Sequence, residues 1–155
     1  MISPHALALI ASLVWIAGCA AHFEAEAAGD KVAIGIKTLA APGAFELRNE
    51  GSAEVSLLRS LAVEKKSGEK WEPAPVTLQL IESCAEKPAS ECITLAPRAV
   101  FRPVPWNGYS CGGQCPEPCR ANVYLGPGTF RVVATTCDRK HHFPSPAFTL
   151  PAAPG

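Results

Sequence analysis

The chain has 155 residues, room for one domain, and its 14 basic and 14 acidic residues cancel, which weighs against a basic nucleic-acid-binding face. Hydrophobic residues make up 48% of it, enough to fill a core and to exclude a disordered chain. Fifteen prolines and twelve glycines suit short strands and turns rather than long helices, and seven cysteines imply an oxidising compartment or a metal site.

Residues 1–18 contain no Lys, Arg, Asp or Glu, and from Ala6 to Ala17 the chain is apolar. That run has the length of an export signal and falls short of the ~20 apolar residues a membrane-spanning helix needs. A buried core helix is the competing reading, disfavoured because such helices are rarely apolar all round. The stretch before the run departs from the usual signal in carrying His5 and no Lys or Arg. At its end, Ile16-Ala17-Gly18-Cys19 resembles the lipobox of bacterial lipoproteins. The resemblance implies that residues 1–18 are a signal peptide forming an N-terminal helix, removed by cleavage before Cys19. It also implies that the Cys19 thiol is the lipidation site and that residues 19–30 are a tether. Two or three acyl chains, at about 0.8 kcal/mol per buried CH₂, make a durable membrane anchor. Cleavage after Ala20 or Ala27 also fits the small-x-small rule and would instead leave a soluble periplasmic or secreted protein.

From Lys31 the apolar residues recur at period two, the mark of half-buried strands. Val32, Ile34 and Ile36 alternate with small residues; Phe45 and Leu47 stop at the turn cluster Asn49-Glu50-Gly51-Ser52. Val55, Leu57, Leu61 and Val63 share one strand face broken by Arg59; a shorter helical stripe of Val55, Leu58 and Ala62 is the competing reading, disfavoured because Ser67-Gly68-Glu69 predicts a hairpin turn before Trp71. Val76, Leu78 and Leu80 alternate next. Leu95-Ala96-Pro97 leads into Val100 to Val104, where Pro103 predicts an edge strand. Residues Asn122 to Leu125 and Thr129 to Thr136 flank Gly126-Pro127-Gly128 and predict a hairpin, and Phe148 and Leu150 form a last strand. The expected fold is an all-β, antiparallel β-sandwich of about seven to nine strands spanning residues 31–151, with a flexible tail at 152–155.

The turns Asn49-Glu50-Gly51 and Leu95-Ala96-Pro97, with Trp106-Asn107-Gly108 and the strand Gly128-Thr129-Phe130-Arg131-Val132, are similar to those of bacterial immunoglobulin-like sandwiches, some of them like the BsuPI-type proteinase inhibitors. Here Arg98 stands where that family has a turn glycine, and Phe130 where it has tyrosine. The resemblance spans about Phe45 to Ala134. It implies an immunoglobulin-like fold and, as an alternative function, secreted proteinase inhibition by a stapled loop.

Setting Cys19 aside leaves Cys84, Cys92, Cys111, Cys115, Cys119 and Cys137, six residues with fifteen connectivities. In an oxidising compartment they read as disulfides that staple the fold. Cys84 and Cys92 are expected to close one surface loop, with Cys119 or Cys115 joined to Cys137 and Cys111 taking the remaining partner. The other reading is a soft-metal site built from the Cys-rich loop with Cys137, His141 and His142, though His141 and His142 read more simply as a solvated hairpin tip. The sequence holds no Gly-x-Ser-x-Gly, His-Glu-x-x-His, phosphate-loop or Cys-x-x-Cys pattern, so no enzyme and no cofactor are expected. The Trp106–Cys119 loop, with Trp106, Tyr109 and Gln114, is the candidate contact surface, since function tends to sit on loops held by a scaffold, although a core position is the commoner fate of tryptophans such as Trp71 and Trp106 in a sandwich. The expectation is a lipid-anchored cell-envelope protein on the extracytoplasmic side. Its partners are the membrane and an envelope protein, and nucleic acid is not among them.

Overall fold

The alternation of apolar and polar residues produces ten strands among the residues that the computed structural model describes, which are 31–111, 114–115 and 121–153. The signal, tether and lipidation site at residues 1–30, and Cys119, lie outside these. The strands are β1 (Ile34–Thr38), β2 (Phe45–Asn49), β3 (Val55–Leu58), β4 (Ser60–Ser67), β5 (Lys70–Gln79), β6 (Cys92–Leu95), β7 (Val100–Phe101), β8 (Gly128–Thr135), β9 (His142–Pro144) and β10 (Phe148–Leu150). They form three antiparallel sheets: β1-β2-β7, β3-β6, and a five-stranded sheet ordered β10-β8-β4-β5 with β9 also on β8. The described residues hold no helix, and the all-β sandwich expected from the sequence is what forms. The strands differ from the expected set at several places: β6 is additional, and the expected strand at residues 122–125 is absent. Strand β9 follows the turn expected as a hairpin tip, and one predicted strand is split into β3 and β4.

Inward-facing side chains from all three sheets make a single core. Ile34, Ile36, Phe45, Leu47 and Phe101 come from β1-β2-β7; Val55, Leu57 and Leu95 come from β3-β6; Leu61, Val63, Leu78, Phe130 and Val132 come from the large sheet. Each strand contributes every second residue because successive side chains leave opposite faces. Val32, read as the start of the first alternation, precedes β1 and stays exposed. The β4–β5 hairpin is as predicted: Ser67 faces Lys70, and Gly68, at φ 59°, takes the first turn position, where a left-handed backbone suits glycine.

The split between β3 and β4 falls at Arg59. A guanidinium on a core-facing position must be paired, and the chain leaves the ladder to pair it. Nη1 of Arg59 donates to the Leu80 carbonyl (3.1 Å) and to Glu86 (3.0 Å). The Arg59 amide donates to the Glu91 carbonyl, and its own carbonyl accepts from the Leu80 amide. The residue thereby hands the chain from one sheet to another and fixes both ends of the 80–91 loop.

Asn49 ends β2 at 1% exposure with its amide fully used. Its Nδ2 donates to the carbonyls of Ala53 and Leu95, and its Oδ1 accepts from the Gly51 amide. Arg98 takes φ 65°, the left-handed backbone that a turn glycine would supply, and its amide donates to the Asn49 carbonyl. Strand β7, at the sheet edge, ends before Pro103, as a residue without an N–H requires.

The hairpin expected between residues 122–125 and 129–136 does not form. Strand β8 already has β4 along one edge and β10 and β9 along the other, so it has no free edge. Residues 123–125 pair instead with 108–110, through Ser110 N–H to the Val123 carbonyl, Leu125 N–H to the Gly108 carbonyl, and a bridge between Tyr109 and Tyr124.

Candidate functional site

Two long connections meet at one end of the sandwich: residues 80–91, between β5 and β6, and residues 102–127, between β7 and β8. Neither contains a named strand, so their positions depend on other ties. Cys84 is disulfide-bonded to Cys115, with Cα atoms 5.6 Å apart, which joins one connection to the other. Cys92 is bonded to Cys137, at 6.1 Å, which joins the start of β6 to the turn after β8. These pairings overturn the expected Cys84–Cys92 loop and both expected partners of Cys137. The reason lies in β3, which draws the second pair together: Cys92 is the cross-strand neighbour of Leu58, and the Cys137 amide donates to the Ser56 carbonyl. Meanwhile the Arg59–Glu86 ion pair holds the 80–91 loop at the break after β3, leaving Cys84 to the neighbouring connection. Cys111 is disulfide-bonded as well, to a partner outside the described residues. With sequence separations of 31 and 45 residues, the two described bridges each stabilise the fold by roughly 4 kcal/mol on the loop-entropy account.

The three residues expected to form a contact surface have different fates. Trp106 is 1% exposed and belongs to the core, edge-on to Phe130 at 5.3 Å and to Phe148 at 6.4 Å. Its indole N–H donates to the Tyr109 carbonyl, and its amide donates to the Gly43 carbonyl. Gly43 permits this contact, since a Cβ there would stand 2.0 Å from the Trp106 carbonyl oxygen. Trp106 is therefore an anchor and not a contact residue. Gln114 is a clamp on the edge strand β5: its side-chain amide accepts from the Gln79 N–H and donates to the carbonyls of Gln79 and Val104. It occupies main-chain groups that an added strand would otherwise use. Tyr109 is half-buried, with its ring 5.2 Å from that of Tyr124, whose hydroxyl donates to the Pro151 carbonyl.

What the stapled end exposes was not anticipated. Val123 is 57% exposed and, with Leu125, Ala121 and Pro75, lines an open apolar depression of about 560 Å³ beside Cys111. Pro75 and Leu125 continue into a second depression of about 350 Å³ lined also by Pro73, Lys65 and Glu72. Lys65 fixes its floor by donating to the Leu125 carbonyl at 2.9 Å and lying over the Phe130 ring. The signal was present in the sequence, as Val123 and Leu125 flanking Tyr124, but it read as one arm of a hairpin.

His141 and His142 sit in and after the turn between β8 and β9. Nδ1 of His142 lies 3.0 Å from the Thr135 hydroxyl, and the His141 ring stacks on Phe143. Cys115 and Cys137, two sulfurs of the metal reading, are in disulfides and cannot serve as thiolates. Among the described residues no group of three or more His, Cys, Asp or Glu is arranged to hold a metal ion. In the same turn, Asp138 accepts from the Thr136 hydroxyl and the Lys140 amide, and these bonds hold its carboxyl below the ordinary value of 3.8.

No protein-family model matches this chain, and no curated protein matches it in sequence. The fold and the cross-links define a class on their own: an all-β antiparallel sandwich whose two longest connections are stapled at one end.

Proposed function

We propose that the chain is an exported, lipid-anchored cell-envelope protein whose sandwich is a non-catalytic binding module. On this reading residues 1–18 are a signal peptide, Cys19 carries the lipid, and the stapled end faces a partner in the envelope. The observation that carries it is the oxidised state of the cysteines: Cys84, Cys92, Cys111, Cys115 and Cys137 are all in disulfides, which persist outside the reducing cytoplasm. The lipobox-like Ile16-Ala17-Gly18-Cys19 supports a tether rather than free secretion. The exposed strip of Val123, Leu125 and Pro75 supplies an apolar contact area on a covalently fixed frame. Intact mass of the membrane-extracted protein tests the reading. A mass lacking residues 1–18, increased by acyl chains and rising on reduction and alkylation by all six remaining cysteines, is expected; a product retaining Met1 with freely reactive thiols would end it.

We further infer an immunoglobulin-like sandwich, supported by the Asn49 turn and the left-handed turn at Arg98. A proteinase inhibitor is the second reading. It is favoured by the ties at Trp106, Gln114 and Cys115, because a pre-organised loop loses little entropy in a protease cleft. It predicts stoichiometric inhibition of at least one protease, and an inactive result across serine, cysteine and metalloprotease panels removes it.

A further inference from the structure

Away from the Val123 strip, the 80–91 loop and the β8–β9 turn border a cavity of about 520 Å³. Two of its lining residues are arginines from elements distant in sequence: Arg59 at the β3–β4 break and Arg139 in the β8–β9 turn. Arg59 is incompletely satisfied. Its Nη1 is engaged by Leu80 and Glu86, but its Nε–H is buried with no hydrogen-bond partner. Arg139 makes no ion pair among the described residues and stands at φ 61°, a left-handed backbone that asparagine or glycine would occupy more easily. Ser60 and Ser90 add hydroxyls to the lining, and Leu58 and Pro88 add apolar surface.

We propose that this cavity binds a small organic oxyanion, a carboxylate or a phosphate monoester. Its charged group sits between Arg59 and Arg139, and its body lies against Leu58 and Pro88. Guanidinium groups match the paired oxygens of carboxylate and phosphate. The volume lies within the range of small-molecule sites and exceeds what a bare inorganic ion fills. Glu86 offsets part of the Arg59 charge, and Glu91, the carboxylate in the lining, opposes an anion. The site therefore selects ligands with a body to bind as well as a charge. This inference does not depend on the membrane tether and can fail separately from it.

The test is titration of the full-length, disulfide-intact protein with benzoate, phenyl phosphate and inorganic phosphate at constant ionic strength, following the arginine Nε–H resonances by NMR. Saturable displacement of the Arg59 signal by benzoate or phenyl phosphate is expected, with inorganic phosphate weaker; which organic anion binds better separates the carboxylate from the phosphate source. Arg139→Asn, which suits the left-handed backbone, should weaken binding by about tenfold, the loss of one charge-assisted contact. Glu91→Gln should tighten it. No saturable shift with either organic anion, or affinities unchanged in folded Arg139→Asn, would overturn the site.

Discussion

The large sheet and the stapled end are built from the same chain by opposite means. Around β4 and β8, Leu61, Phe130, Val132 and Ala134 are all at 0% exposure, and this buried face backs the β4–β8 ladder and the Glu64–Arg131 ion pair. Among the described residues of 102–127, Trp106 is the buried anchor, and the others are held by the Cys84–Cys115 bridge, by the Gln114 amide on β5 and by the short pairing of 108–110 with 123–125. Burial is cooperative and non-directional, so damage to it spreads. A covalent or hydrogen-bonded tie is local and specific, so its loss frees one segment first.

Phe130→Ala should expose the difference most strongly. It removes the ring that Trp106, Phe148 and Lys65 all contact, and a loss of about 3–5 kcal/mol is expected in urea unfolding. Both regions should melt together. Replacing Cys84 and Cys115 by serine should cost about 2–4 kcal/mol and act differently. In hydrogen exchange, amides of Ser110 and Leu125 should lose protection while those of β4 and β8 keep theirs; equal loss in both regions would show the two to be one cooperative unit. Gln114→Ala should cost about 1 kcal/mol and expose the Gln79 main chain, read as faster exchange at that amide alone.

The smallest effect concerns pH. The Asp138 carboxyl titrates below 3.8 in the folded protein, so its contribution is fully present above the unfolded value and is lost as pH falls through the lower folded one. Asp138→Asn should flatten that part of a Tm-against-pH curve and shift only the β8–β9 turn, leaving the comparison of core and stapled end untouched.

The strand faces were legible because they are a local property. Ile34 with Ile36, Phe45 with Leu47, and Val76 with Leu78 and Leu80 declare a buried face within a few residues of one another. Arg59 was legible as an interruption but not as a change of sheet, since its acceptors, Leu80 and Glu86, lie more than twenty residues away. Trp106 and Gln114 stood out as residues able to make contacts. A core position was the favoured fate of Trp106, and the structure bears it out; nothing in the sequence pointed Gln114 to the edge of β5.

The sequence alone determined that this chain forms short strands around one core, because composition and period-two spacing act over neighbouring residues; it narrowed the cysteines to disulfides or a metal site. Only the tertiary structure decided which cysteines meet, which segment pairs with 123–125, and that Arg59 and Arg139 line one cavity. Those outcomes depend on which strand edges are already occupied, a constraint that exists only once the sheets have formed.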